Sequence, residues 1–201
     1  MARVSQDVGD IKHLILLRKA LLARKSLEIY SQNPSMRLTI GEGKFHGGDC
    51  INTVRLMIEK PVPFFDWDEF ERKAMFIAQN PKDIFVRAIV TMMLDRDRLH
   101  TYKVMFSKLP RVRMRLNTVF RASSSMQIEY QVLYRLSLAS EGASVKDYLI
   151  ASEGVDQLRR RIGIVIASYC LGDFIYAERA VEKNPKTSVV SRILAHMRKL
   201  T

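Results

Sequence analysis

The side chains best placed for chemistry in this chain are arginines, and the chemistry they suit is the binding of anions. Between Arg98 and Arg121 stand Arg98, Lys103, Lys108, Arg111, Arg113, Arg115 and Arg121, with no acidic residue among them. Arg111, Arg113 and Arg115 are spaced two apart. A strand would put these three on one face and turn Val112, Met114 and Leu116 to the core. Three like charges in a row repel unless solvent or an anionic partner neutralises them, and the planar guanidinium fork fits phosphate. A solvated sheet face whose charges discourage edge pairing would have the same pattern. The missing acids favour the binding reading.

Two further basic runs follow. Arg159, Arg160 and Arg161 are consecutive, so on a helix they point in three directions. After Glu182 come Lys183, Lys186, Arg192, Arg198 and Lys199, again without an acid. A helix dipole accounts for Arg198 and Lys199 near a C-terminus and leaves the others as contact candidates. Arg18, Lys19, Arg24 and Lys25 are candidates for a membrane or partner contact. Phe64, Phe65 and Trp67 cluster beside Pro61 and Pro63, either as an exposed docking loop for self-association or as a lid over the core.

Catalytic and metal chemistry find little support. His13, His46, His100 and His196 lie far apart. His46, Asp49 and Cys50 are close in sequence, but a zinc site needs a second ligand pair. Gly41-Glu42-Gly43-Lys44 is a fragment of a phosphate loop without its full spacing or its magnesium-binding hydroxyl. There is no Gly-x-Ser-x-Gly elbow, nucleophile pair or carboxylate dyad. The expectation is a binding protein with no enzyme activity, no catalytic residue, no cofactor and no metal.

These groups need a scaffold, and 201 residues can bury a core. The 33 Lys and Arg outnumber the 21 Asp and Glu, for a net charge of +12, which points to an anionic partner. Cys50 and Cys170 are too few for a disulfide scaffold, so a reducing compartment is expected. Leu14 to Leu17 is too short an apolar run for a signal core or a bilayer span, and Asp7 and Asp10 precede it.

The chain reads as α+β, a single domain in which an antiparallel sheet packs with several helices, with basic N-terminal and C-terminal helices. A helix is expected over Asp7 to Tyr30, within an N-terminal unit 1–35, followed by one globular domain over 36–201. Met36 to Ile40 and Ile51 to Lys60 read as strands around a glycine-rich loop. Asp66 with Glu69 reads as a capping box opening a helix, and Asn80-Pro81 as the start of another. Tyr102 to Phe106, Val112 to Phe120 and Gln127 to Leu138 read as strands, with Ser123 to Ser125 joining the last two. Ser144 to Ile150 and Val155 to Cys170 read as helices, Phe174 to Ala180 as either type, and Ser188 to Leu200 as a final basic helix.

This order of elements resembles that of the rhabdovirus matrix proteins. The resemblance starts at Ile51-Asn52-Thr53-Val54-Arg55-Leu56-Met57-Ile58, taken as a first core strand, and runs through the Pro61-Val62-Pro63-Phe64-Phe65 turn. It continues with the helices from Asp66 and Asn80, the strands over Leu116 to Leu138 and the helix over Val155 to Cys170. The late-budding motifs and the long Lys-rich N-terminus of the animal-virus members are missing, and the plant-infecting members fit better. The resemblance implies a structural protein that self-associates and bridges a viral nucleoprotein–RNA complex to an anionic membrane leaflet. Its place would be the virion interior and the host cytoplasm or nucleus, peripheral to membranes. The charge alone equally admits a sequence-independent RNA-binding protein, such as a capsid, silencing suppressor or movement factor.

Overall fold

The computed structural model describes residues 12–23, 26–31, 37–60, 65–69, 78–115 and 124–176. The protein is α+β, as the sequence implies. Its helices are α1 (Lys12–Ala23), α2 (Cys50–Glu59), α3 (Pro81–Val90), α4 (Arg96–Phe106), α5 (Ser124–Ser137), α6 (Val145–Ile150) and α7 (Val155–Cys170). Its strands are β1 (Leu27–Ser31), β2 (Arg37–Gly41), β3 (Lys44–His46), β4 (Phe65–Glu69), β5 (Ala78–Gln79), β6 (Val112–Met114) and β7 (Phe174–Tyr176). β1 to β5 form an antiparallel sheet in the order β4-β1-β2-β3-β5, and β6 and β7 form a separate antiparallel pair.

The core is organised around α7. Every residue from Arg161 to Ser168 is buried, so this middle stretch of the helix is enclosed on all sides. It packs against α1, α3, α4, α5 and α6. Gly163 is what lets α3 approach, because a Cβ there would lie 2.5 Å from the Cγ2 of Ile89. That methyl sits on a β-branched carbon and has little room to turn away. Gly163→Ala is therefore expected to lower stability by about 1–3 kcal/mol, despite alanine's better helix propensity. Urea unfolding of G163A, alone and with Ile89→Ala, checks this, since truncating Ile89 should make the second change cheaper than in the wild type.

Alternation builds the larger sheet. Leu27 and Ile29 of β1 and Leu38 and Ile40 of β2 are buried, while Glu28, Tyr30 and Thr39 between them are partly exposed. A two-residue turn joins β2 to β3, with Glu42 at φ 52° and Gly43 at φ 74°, the positive pair that matches strand twist.

Several expectations are corrected. The helix read over Asp7 to Tyr30 is, among the described residues, the shorter α1, and Leu27–Ser31 is a strand paired with both β2 and β4. The division at residue 35 falls between β1 and β2, which are hydrogen-bonded partners. Ile51 to Lys60 is a helix rather than a strand. Asp49 caps it by accepting from the Asn52 N–H at 3.2 Å, and Cys50, Thr53, Val54, Met57 and Ile58 form its buried face at helical spacing. Asp66 opens no helix within β4, where it pairs with Tyr30 of β1. Tyr102 to Phe106 ends α4, capped by Asp95, which accepts from the Arg98 N–H at 2.7 Å. Gln127 to Leu138 falls mostly in α5, which begins at Ser124 where a hairpin connection was expected.

The strand read over Met36 to Ile40 is found as β2 from Arg37 on, and the Asn80-capped α3, the Ser144-capped α6 and α7 agree with the sequence reading. The final basic helix lies outside the described residues. No helix among the described residues is long and apolar enough to cross a membrane.

Candidate anion-binding ribbon

The arginines two apart do share one exposed face. Val112 and Met114 of β6 are buried, and Arg111, Arg113 and Arg115 are exposed. Leu116, read as the next core position, lies outside the described residues. β6 pairs with β7 through Val112 with Tyr176, Arg113 with Ile175 and Met114 with Phe174, and the Arg115 N–H extends the ladder to the Asp173 carbonyl at 2.9 Å. On its other side Val112 exchanges both backbone hydrogen bonds with Ala143, at 2.9 and 2.8 Å. The strand is therefore held on two sides, and its outward side chains stand on a fixed backbone.

The loop before α6 steadies two of the three guanidinium groups. Arg111 donates to the Gly142 carbonyl at 3.0 Å, and Arg113 donates to the Ser140 carbonyl at 2.9 Å. Arg111 also lies 3.4 Å from Glu141, but those side chains are 49% and 74% exposed, so this pair is solvated and weak. The arginines keep free N–H groups for an incoming anion. β7 contributes Ile175 and Tyr176, 46% and 40% exposed, with Ile175 opposite Arg113. The sequence reading missed both. The signal lay in the Phe-Ile-Tyr run after the Gly172 turn, where β-branched and aromatic residues follow a break.

Other predicted contact residues are committed elsewhere. Arg98 is buried rather than on a binding surface: its Nε donates to the Ile58 carbonyl at 3.3 Å and its Nη2 to the Tyr102 hydroxyl at 3.1 Å. Tyr102 donates to the same carbonyl at 2.7 Å, so the pair satisfies the last turn of α2. Arg161 is also buried, in an ion pair with Glu129 at 2.7 Å. Both corrections share one cause, that a charge count along a chain does not report burial. Arg18 donates to the Tyr169 carbonyl and stacks 4.8 Å over the Tyr169 ring, closing the C-terminal turn of α7. Lys19 is exposed beside it on α1.

Lys103 lies in the last turn of α4, where a cation favours the helix dipole, and Lys108 is exposed just beyond. Arg159 and Arg160 are half-buried on α7. Phe65 and Trp67 fall on the edge strand β4. Arg24, Lys25, Phe64, Arg121, Lys186, Arg192, Arg198 and Lys199 lie outside the described residues.

His46, Asp49 and Cys50 are occupied structurally. His46 Nε2 lies 3.2 Å from the Gly41 carbonyl, Asp49 caps α2, and the Cys50 thiol donates to the His46 carbonyl at 3.7 Å. Burial and the neighbouring Asp49 push that thiol's pKa up, against thiolate chemistry. Among the described residues no group of three His, Cys, Asp or Glu could hold a metal ion.

Comparison with known proteins leaves the reading to the geometry: no family model, no curated protein and no solved structure matches this chain.

Proposed function

We propose that the protein is a non-enzymatic structural protein that binds polyanions through the β6–β7 ribbon. The observation carrying this reading is the row of Arg111, Arg113 and Arg115, exposed on one face over buried Val112 and Met114. Guanidinium groups stay charged and suit phosphate recognition, not proton exchange. In its fuller form the reading is a viral matrix-type protein. It would associate with its own copies inside the virion and bridge a nucleoprotein–RNA complex to an anionic leaflet, with exposed Ile175 and Tyr176 entering the lipid interface. The net charge of +12 supports that role. The likeness to rhabdovirus matrix proteins adds no weight, because the segment taken as their first core strand is α2 here and Gln127 to Ser137 is helical.

The test is the variant Arg111→Gln/Arg113→Gln/Arg115→Gln, assayed on single-stranded RNA and on vesicles containing phosphatidylserine. RNA affinity is expected to fall at least roughly tenfold. The slope of log affinity against log salt should shrink by about 2, since each single-strand phosphate contact contributes about 0.7. Vesicle sedimentation should fall in parallel. Unchanged binding to both overturns the proposal. Loss of RNA binding by the variant, with no vesicle binding even by the wild type, selects the sequence-independent RNA-binding reading instead.

A further inference from the structure

The arginines of the β6–β7 ribbon stand at a fixed step. Two residues along a strand advance about 6.4–6.8 Å, and β6 with its flanking residues sets Arg111, Arg113 and Arg115 at two such steps in line. The loop before α6 holds guanidinium groups as well as backbone. Its Gly142, at φ 75°, donates to the Ala139 carbonyl at 2.9 Å, and Ala143 ties the loop to Val112. Arg111 bonds to the Gly142 carbonyl and Arg113 to the Ser140 carbonyl, so the two groups have separate anchors two residues apart. Part of the ordering cost of binding is thereby already incurred. Among the described residues no carboxylate pairs with Arg113 or Arg115.

A row of cations at one step discriminates among polyanions. Lipid headgroups diffuse in the leaflet and meet such a row without needing its step. Inorganic polyphosphate repeats at a shorter step, a single shared oxygen between phosphorus atoms. A nucleic-acid strand joins its phosphates through a ribose, and when extended its successive phosphorus atoms stand close to the two-residue step of a β-strand. The neighbouring strand then favours a single strand over a duplex. Ile175 lies opposite Arg113, on the same face, and is 46% exposed. An unpaired base can rest on that side chain beside its own phosphate, whereas a duplex keeps its bases turned inward and presents its backbone.

We propose that the partner of the ribbon is a single nucleic-acid strand laid along β6 in register, one bridging phosphate to each of Arg111, Arg113 and Arg115, with a base against Ile175. The inference rests on the reading of the ribbon as a polyanion site and narrows it to one polymer and one repeat. Each guanidinium offers its remaining N–H groups to the oxygens of one phosphate. Recognition follows the spacing of the backbone, so no base sequence is selected.

Backbone amide shifts of β6 in the full chain read the binding of short oligouridylates without terminal phosphates. Each linkage up to the third should tighten binding roughly threefold, the scale of a solvated ion pair, and later ones should add less than about twofold. Tetrauridylate, with three linkages, should bind more tightly than tripolyphosphate, which carries more charge. Arg115→Gln should move the plateau to the trinucleotide, whereas Arg113→Gln should weaken binding and leave the plateau at the tetranucleotide. Ile175→Ser should weaken tetrauridylate roughly threefold and leave an abasic strand of the same length unchanged. Equal effects on both strands would overturn the base contact and with it the preference for a single strand. A smooth climb past the tetranucleotide, a plateau that Arg115→Gln does not move, or tripolyphosphate binding as well as tetrauridylate overturns the register. The polyanion reading then still stands if the variant lacking all three arginines loses polyuridylate. Vesicle binding without binding of any oligonucleotide assigns the ribbon to the leaflet and overturns the proposal. Failure of both polyuridylate and vesicles to bind overturns the two readings together.

Discussion

Replacing Arg161 with methionine is expected to cost about 3–5 kcal/mol of stability, the scale for leaving a buried charge without its partner. The Arg161 and Glu129 side chains are 8% and 6% exposed, with Nε and Oε2 2.7 Å apart. The pair sits in a wider set of bonds. Gln157 donates to the second Glu129 carboxylate oxygen at 2.7 Å, and Arg161 Nη1 donates to the Tyr148 carbonyl at 2.7 Å. The Tyr148 hydroxyl donates to the Glu129 backbone carbonyl at 2.9 Å, and the guanidinium lies 4.8 Å over the Tyr148 ring. Side chains of α5, α6 and α7 are thereby fastened at one point. With the guanidinium gone, Glu129 keeps only the Gln157 amide. Arg161→Met/Glu129→Leu removes both charges and should recover most of the loss, because the penalty lies in the unpaired carboxylate. Urea midpoints of the single and double variants decide it. A loss below about 1 kcal/mol in the single variant would show that the pair is weak in the folded state. The double variant should also bind RNA like the wild type, since Arg161 is not on a surface.

What could be read from the sequence depended on how far away the deciding partner lay. The ribbon was legible because its signal is local. Arg111, Arg113 and Arg115 alternate with Val112 and Met114, and β6 turns those two inward. Caps were equally local: Asn80 accepts from the Lys82 N–H at 3.0 Å and Ser144 from the Asp147 N–H at 3.2 Å. Asp66 shows the limit of that signal. It has a Glu three residues on, yet it lies in β4 because β1 offers a partner strand. Ile51 to Ile58 fails in the opposite sense. Its apolar residues satisfy alternation in part, but Thr53, Val54, Met57 and Ile58 also make one helical face, and the Asp49 cap decides between the periods.

The two arginines misplaced by the sequence reading have partners far along the chain. Arg161 finds Glu129 at a separation of 32 residues, and Arg98 finds the Ile58 carbonyl at 40. No composition window reports such a contact. An acid-free stretch such as 98 to 121 therefore mixed two populations, a core arginine serving a backbone carbonyl and a tyrosine hydroxyl, and surface arginines along a strand. The exposed set is smaller than the charge count implied, and its concentration on β6 makes it more specific as a surface.

Stability is expected to fall as the pH drops from about 6.5 towards 3, and His13 is the cause. Its ring is buried on α1, and burial, reinforced by the Arg98 guanidinium, lowers its pKa from 6.5 to about 3. Between those values the unfolded chain binds a proton that the folded protein refuses. Stability therefore rises with pH through this window, is complete above it, and is lost on acidification. Each unit below 6.5 removes about 1.4 kcal/mol, so a drop to pH 4.5 should cost about 2–3 kcal/mol from this residue alone. His13→Gln, neutral throughout, isolates the contribution. Denaturant unfolding at pH 7 and at pH 4.5 should show the wild type losing about 2 kcal/mol more than the variant. Equal losses would place the acid sensitivity elsewhere. Arg98 links this response to the scaffold, because the guanidinium that repels a proton from His13 also holds the Ile58 carbonyl and stacks 4.6 Å over the Tyr102 ring. Arg98→Met should therefore lower stability at pH 7, by leaving that carbonyl to Tyr102 alone. It should also end the acid loss at a higher pH, because without that guanidinium the folded-state pKa of His13 rises and the window narrows from below.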